Sequence, residues 1–109
     1  MGDGNPFAGE VALVLDGERH LLRLTLGALA ELEAGLGDDD LLSMVDRFET
    51  GRFRARDLAA LLLAGLRGGG WTGDAETLLN AEIGGGPAEA TRVACLLLNR
   101  AFTIPGEPA

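Results

Sequence analysis

The run LAALLLAGL at residues 58–66 constrains the fold more than any other stretch, because nine successive positions carry no polar side chain. In a helix, this run would be apolar on every side rather than along one stripe. A helix of that kind has to lie at the centre of a domain or be covered by a partner. The sequence therefore predicts a central helix over residues 56–67, around which the other elements pack.

A β-hairpin is predicted near the start of the chain. Val11–Leu15 is aliphatic and partly β-branched, and residues 19–24 return as a second strand. The dipeptide Asp16-Gly17 between them is favoured in two-residue hairpin turns. Because an isolated hairpin is only marginally stable in water, we expect it to lie on helices, to pair with another strand or to pair with a second copy.

Four further helices are predicted from apolar residues at helical spacing. Thr25 is suited to cap the first, the acidic residues 38–40 favour the start of the second, and Pro87 suits the first turn of the last. Asp74 or Thr72 is expected to cap the remaining one. The predicted spans are residues 26–36, 41–49, 75–83 and 87–102, and the first helix is expected to bury Leu26, Leu29, Leu32 and Leu36.

Two triple-glycine runs, at residues 68–70 and 84–86, are interpreted as flexible breaks inside one domain, because neither half of the chain has a core of its own. We predict a single compact domain at residues 9–102, with a flexible arm at 1–8 and a flexible tail at 103–109. The fold class is α+β, with an N-terminal β-hairpin packed on a bundle of four to five short helices.

The formal net charge of −8 argues against nucleic acid and anionic membranes as partners, since both require a dense basic face. It fits a soluble protein, or one that binds a basic partner. No apolar run approaches the length of a membrane span, and the first ten residues lack the features of a signal peptide. We therefore expect a cytoplasmic protein.

Little in the sequence indicates catalysis. The single cysteine, Cys95, excludes an internal disulfide, and its apolar surroundings predict a buried side chain. His20 is the only histidine and therefore the only candidate base, so no Ser or Cys nucleophile has a plausible base. The triple glycines lack the Lys and Ser or Thr of a phosphate-binding loop. We expect a non-enzymatic protein without metal or cofactor.

Residues 46–57, DRFETGRFRARD, imitate the spacing of a calcium-binding EF-hand loop. Gly51 takes the sixth place and Asp57 the twelfth, as such a loop requires. However, Phe48 and Arg54 occupy the third and ninth places, where oxygen ligands are needed. The loop is therefore predicted to bind no calcium.

Arginines of this same loop, together with the only tryptophan, are the candidate partner-binding residues: Arg52, Arg54, Arg56 and Trp71. The arginines could bind acidic side chains of a partner, but a solvated loop balanced by neighbouring acidic residues is the simpler interpretation. Trp71 could be an anchor at an interface or a plug of the core, and the sequence favours neither.

Four segments carry a resemblance to a known family: GEVALVLDG, LTLGALAELEAGLG, GRFRARDLAALLLAGLRGGG and ACLLLNRAF. In their order and spacing, from residue 9 to 102, they resemble the gene transfer agent family of phage-derived tail proteins, in its tail-assembly-chaperone group. Proteins of that family come from alphaproteobacterial prophage-like gene clusters and are described both as tail-tube proteins and as tail assembly chaperones. The family has no established catalytic residues to carry over.

The resemblance implies a tail assembly protein, and we favour a chaperone that binds the tape-measure protein. The alternatives are a structural tail-tube component and an unrelated dimeric adaptor or regulatory domain. A tube subunit needs extensive sheets that continue between subunits, and the sequence predicts only two strands. Tail proteins, namely the tape measure and the tube subunit, are therefore the expected partners. A homo-oligomer is also expected, because of the apolar central helix and the hairpin edge.

Overall fold

A hairpin and five helices make up the part of the chain, residues 10–101, that the computed structural model describes. The α+β class, with an N-terminal hairpin on short helices, is confirmed. The predicted arm at 1–8 and tail at 103–109 lie outside the described residues. The elements are β1 Val11–Leu15, β2 Glu18–Leu22, α1 Leu26–Gly35, α2 Leu41–Thr50, α3 Ala55–Gly68, α4 Ala75–Asn80 and α5 Gly86–Ala101.

The hairpin forms as its turn dipeptide predicts. Strands β1 and β2 are antiparallel, and Leu15 pairs with Glu18 across the turn. Both turn residues have positive φ angles, 50° at Asp16 and 82° at Gly17. This combination matches the right-handed twist of the strands that it joins. Alternate residues of β1, together with Leu22, face the core and are buried.

The outer edge of β1 is covered by the segment that follows α4. Leu15 forms a bridge with Ile83, and the Gly84 amide donates to the Val14 carbonyl at 3.0 Å. Two further hydrogen bonds, both of 2.8 Å, join Asp16 and Glu82. The prediction that the fourth helix continues to residue 83 is therefore wrong, because the chain after Asn80 follows β1 instead.

Helix α3 lies at the centre, as its apolar sequence predicts. It packs against β2, α1, α4 and α5. Buried positions are found all round it, including Leu61, Leu62, Ala64 and Leu66. The other elements of the chain therefore cover most of the apolar surface of α3, for which the sequence suggested a covering partner. The prediction of a homo-oligomer remains a prediction, but α3 and the edge of β1 no longer require one.

The C-terminal end of α3 touches the backbone of β2 and of the residue after it. The Arg23 amide donates to the Gly65 carbonyl at 2.9 Å. A Cβ atom on Gly68 would lie 1.9 Å from the Arg23 carbonyl oxygen, and one on Gly69 would lie 1.9 Å from that of Leu21. Glycine is thus required for this close approach. The interpretation of residues 68–70 as a flexible break is wrong, since Gly68 and Gly69 are packing positions.

Side-chain caps fix the starts of three helices. Thr25 accepts from the Ala28 amide at 3.0 Å, and Asp40 accepts from the Ser43 amide at 2.7 Å. Asp74 accepts from the Thr77 amide at 2.9 Å, which decides between the two candidate caps of α4. Each carboxylate or hydroxyl satisfies an amide that has no partner within its helix.

Two side chains that the sequence placed in the core are exposed. Leu26 is 84% exposed, because α1 packs through Ala28 and Leu32, and position 26 lies about 200° around the helix from position 28. Cys95 is also exposed. The buried stripe of α5 falls on Ala90, Val93, Ala94, Leu97 and Leu98. That spacing leaves position 95 on the outer face.

Replacing Gly68 or Gly69 by alanine is expected to destabilise the fold by about 1–3 kcal/mol or more, because backbone must move to admit the methyl group. Gly35→Ala in α1 is the control, since nothing lies within 4 Å of a Cβ at that position. The control should be neutral or stabilising by up to about 1 kcal/mol. Urea unfolding of the three variants measures the difference, and equal stabilities would contradict the close contact described above.

Candidate interaction surface

An apolar groove lies between α3, α4 and the start of α5. Its volume is about 480 Å³, within the range of pockets that bind ligands in proteins. One wall is the N-terminal half of α3, through Ala55, Leu58, Ala59 and Leu62. The facing wall is formed by the end of α4, the turn after it and the first residues of α5.

The wall that α4 provides contains two adjacent leucines in very different settings. Leu78 is 4% exposed and belongs to the core, whereas Leu79 is 70% exposed at the groove. A helix of six residues with one buried face cannot bury both. The adjacent leucines are the signal by which sequence reasoning could have found this surface, but it was missed.

Arg47, the first arginine of the loop region, has a structural role. Its Nε and Nη2 atoms donate to the two carboxylate oxygens of Asp57 at 2.9 and 3.0 Å. Nη2 also lies 2.7 Å from Asp39. Asp57 is 4% exposed and accepts in addition from the Arg54 amide at 2.9 Å. The ion pair between Arg47 and Asp57 joins α2 to the start of α3. The carboxylate of Asp57 therefore faces the guanidinium of Arg47.

These contacts determine how the groups titrate. Burial alone would raise the pKa of Asp57, but hydrogen bonds from the Arg47 side chain and the Arg54 amide outweigh it and hold the pKa below its usual value. The hydrogen bond from Arg47 also lowers the pKa of Asp39. Arg47 stays protonated, because its hydrogen bonds to Asp57 and Asp39 raise its pKa further.

The other three arginines of the loop, Arg52, Arg54 and Arg56, are exposed. Within residues 10–101, none of them forms an ion pair. Arg54 precedes Ala55, which lines the groove, and therefore lies at that end of it. Arg56 borders a smaller recess of about 200 Å³ beside Gly35 and Leu36, on the side of α3 that faces α1.

Trp71 lies apart from these arginines. The arginines are at the start of α3 and Trp71 follows its end, so the 14 residues of the helix separate them by about 20 Å. Trp71 is partly buried against the core and meets His20 edge to face, with ring centroids 6.5 Å apart. It also borders a recess of about 400 Å³ beside β2. The four candidate residues therefore do not form one surface.

A family model described as "Phage tail tube protein, GTA-gp10" matches residues 8–103. The chain belongs to this family. The resemblance to phage-derived tail proteins of gene transfer agents is thus confirmed. Comparison with curated proteins and with solved structures found no match.

Membership of the GTA-gp10 family gives this protein a role in a phage-type tail. Its expected partners are accordingly other proteins of such tails. No helix in the described part of this GTA-gp10 protein is long and apolar enough to cross a membrane. The groove, Arg54 at its end, and Trp71 at the far end of α3 remain the candidate contact surfaces of this family member.

Asp57→Asn is expected to cost about 2 kcal/mol or more of unfolding free energy at neutral pH, because Arg47 loses a charged partner. The pKa of Asp57 is lowered in the folded state, so its contribution is present above the unfolded value and lost as the pH falls through the folded one. The difference from wild type should therefore shrink below about pH 4.

Asp46→Asn is the control for this variant, since Asp46 is an exposed carboxylate of the same loop region. It should change stability by less than about 0.5 kcal/mol. Urea unfolding at a series of pH values provides the measurement. If the difference in unfolding free energy between Asp57→Asn and wild type stays constant down to pH 2, the ionised pair is not its cause.

Proposed function

We propose that this GTA-gp10 family member is a tail assembly chaperone that binds the tape-measure protein before the tail tube forms. The observation that carries this proposal is the architecture of the described residues. They contain a sheet of only two strands, and they combine five helices with an open apolar groove. Such a domain suits the binding of helices more than the building of continuous sheets.

The proposed partner explains why an acidic, groove-bearing domain would be useful. A tape measure is a long helical protein whose apolar stripes are exposed to water until the tube surrounds them. Exposed stripes of this kind favour aggregation. A protein with a net charge of −8 can cover part of a stripe and keep the complex soluble through repulsion between complexes. We propose that it does so in the cytoplasm and without catalysis.

A structural tail-tube component is the second candidate, and the description of the family supports it. A tube subunit has to join its neighbours in rings, for which extended sheets offer unpaired edges. Here one edge of the hairpin is already covered at Leu15 and Ile83. For this reason we place the chaperone first.

The chaperone proposal predicts that the protein is absent, or nearly so, from mature particles. Deleting its gene should give particles without tails and aggregated tape-measure protein. Mass spectrometry of purified particles, compared with a pull-down from the producing cells, provides the measurement. Tens to hundreds of copies in each particle would instead show that this protein is a tube subunit.

Replacing Arg52, Arg54 and Arg56 together by alanine is expected to weaken binding of the tape-measure protein without unfolding the domain, since all three are exposed. The control replaces Arg23 and Arg67, which are also exposed and line neither the groove nor the recess beside Trp71. Titration calorimetry compares the two variants with wild type. If the triple variant binds as tightly as the control, the three loop arginines do not contact the partner.

A further inference from the structure

We infer that the groove between α3, α4 and α5 binds a short amphipathic helix of a tail partner, whose apolar stripe is flanked by basic residues. The inference rests on the proposed function, in that it names the surface and the chemistry by which the partner is recognised. It is carried by two observations: the shape of the groove and the charges along it.

The shape suits a helix. The α3 residues that line the groove recur at positions 55, 58, 59 and 62, so they form one straight stripe of about 10 Å. Leu79 stands across from this stripe and is 70% exposed. Two turns of a helix with apolar side chains at i, i+3 or i+4, and i+7 would fill such a groove.

The charges favour a basic partner. Between Arg67 and Arg92 the sequence contains no basic residue, and the acidic residues there include Glu76 and Glu82. Glu82 itself lines the groove. A second copy of this chain also carries a net charge of −8, so it would be repelled, whereas a basic helix would be attracted. At the α3 end of the groove, Arg54 would pair with an acidic residue of the partner. This pairing fixes the direction in which the partner helix lies in the groove.

Leu79→Glu tests the groove, with Leu42→Glu as its matched control. The two leucines are 70% and 75% exposed, but Leu42 lies on α2, and neither change should unfold the domain. Using the tape-measure protein of the same gene cluster as the probe, we expect Leu79→Glu to weaken binding at least tenfold and Leu42→Glu to leave it unchanged. Glu82→Arg should also weaken it. Equal affinities of wild type and Leu79→Glu would overturn the inference while leaving the proposed function intact.

A second probe separates this inference from the proposed function. Two synthetic 18-residue helices with the same leucine stripe are flanked by lysine in one and by glutamate in the other. Binding of the lysine peptide alone, and its loss in Leu79→Glu, would support the groove even if wild type binds no tape-measure protein. Binding of neither peptide, or peptide binding that is unchanged in Leu79→Glu, would contradict the inference. Sedimentation in which Leu79→Glu turns a wild-type dimer into a monomer would also contradict it, by assigning the groove to a second copy.

Discussion

The contact between the hairpin and the glycine face of α3 is the constraint on which the rest of the fold depends. At Gly68 and Gly69 the helix has no side chain between its backbone and the carbonyl oxygens of Arg23 and Leu21. This close approach places β2 on α3, and β1 in turn lies beside β2. The segment that follows α4 lies along β1, so the position of the groove wall derives from the same contact.

The other end of α3 is fixed by charge rather than by close packing. Asp57 binds Arg47 of α2 through both oxygens and also accepts from the backbone at the start of its own helix. The helix is thus held at its first turn by an ion pair and at its last turn by glycine. Between these points it presents apolar side chains on all sides, which suits a central element surrounded by four others.

Local signals explain which parts could be predicted from the sequence. The Asp-Gly turn, the helix caps and the apolar α3 depend on a few neighbouring residues, and all were predicted. The end of α4 and the close packing of Gly68 and Gly69 depend on β-strands more than forty residues away in the sequence. No local pattern could reveal them. The groove forms only where α3, α4 and α5 meet, so its one local signal in the sequence was the pair of adjacent leucines, Leu78 and Leu79. The arginine loop and Trp71 were identified as candidates, but their separation by the length of α3 could not be seen in the sequence.

The outward position of Cys95 has a consequence for redox chemistry. An exposed thiol that is the only one in the chain can form a disulfide solely with another molecule. Oxidation during handling in air would therefore link two copies through the outer face of α5. Such covalent pairs disappear on reduction, and this reversibility distinguishes them from an assembly held together by packing. Under reducing conditions, the same thiol is a unique point for attaching a spectroscopic label.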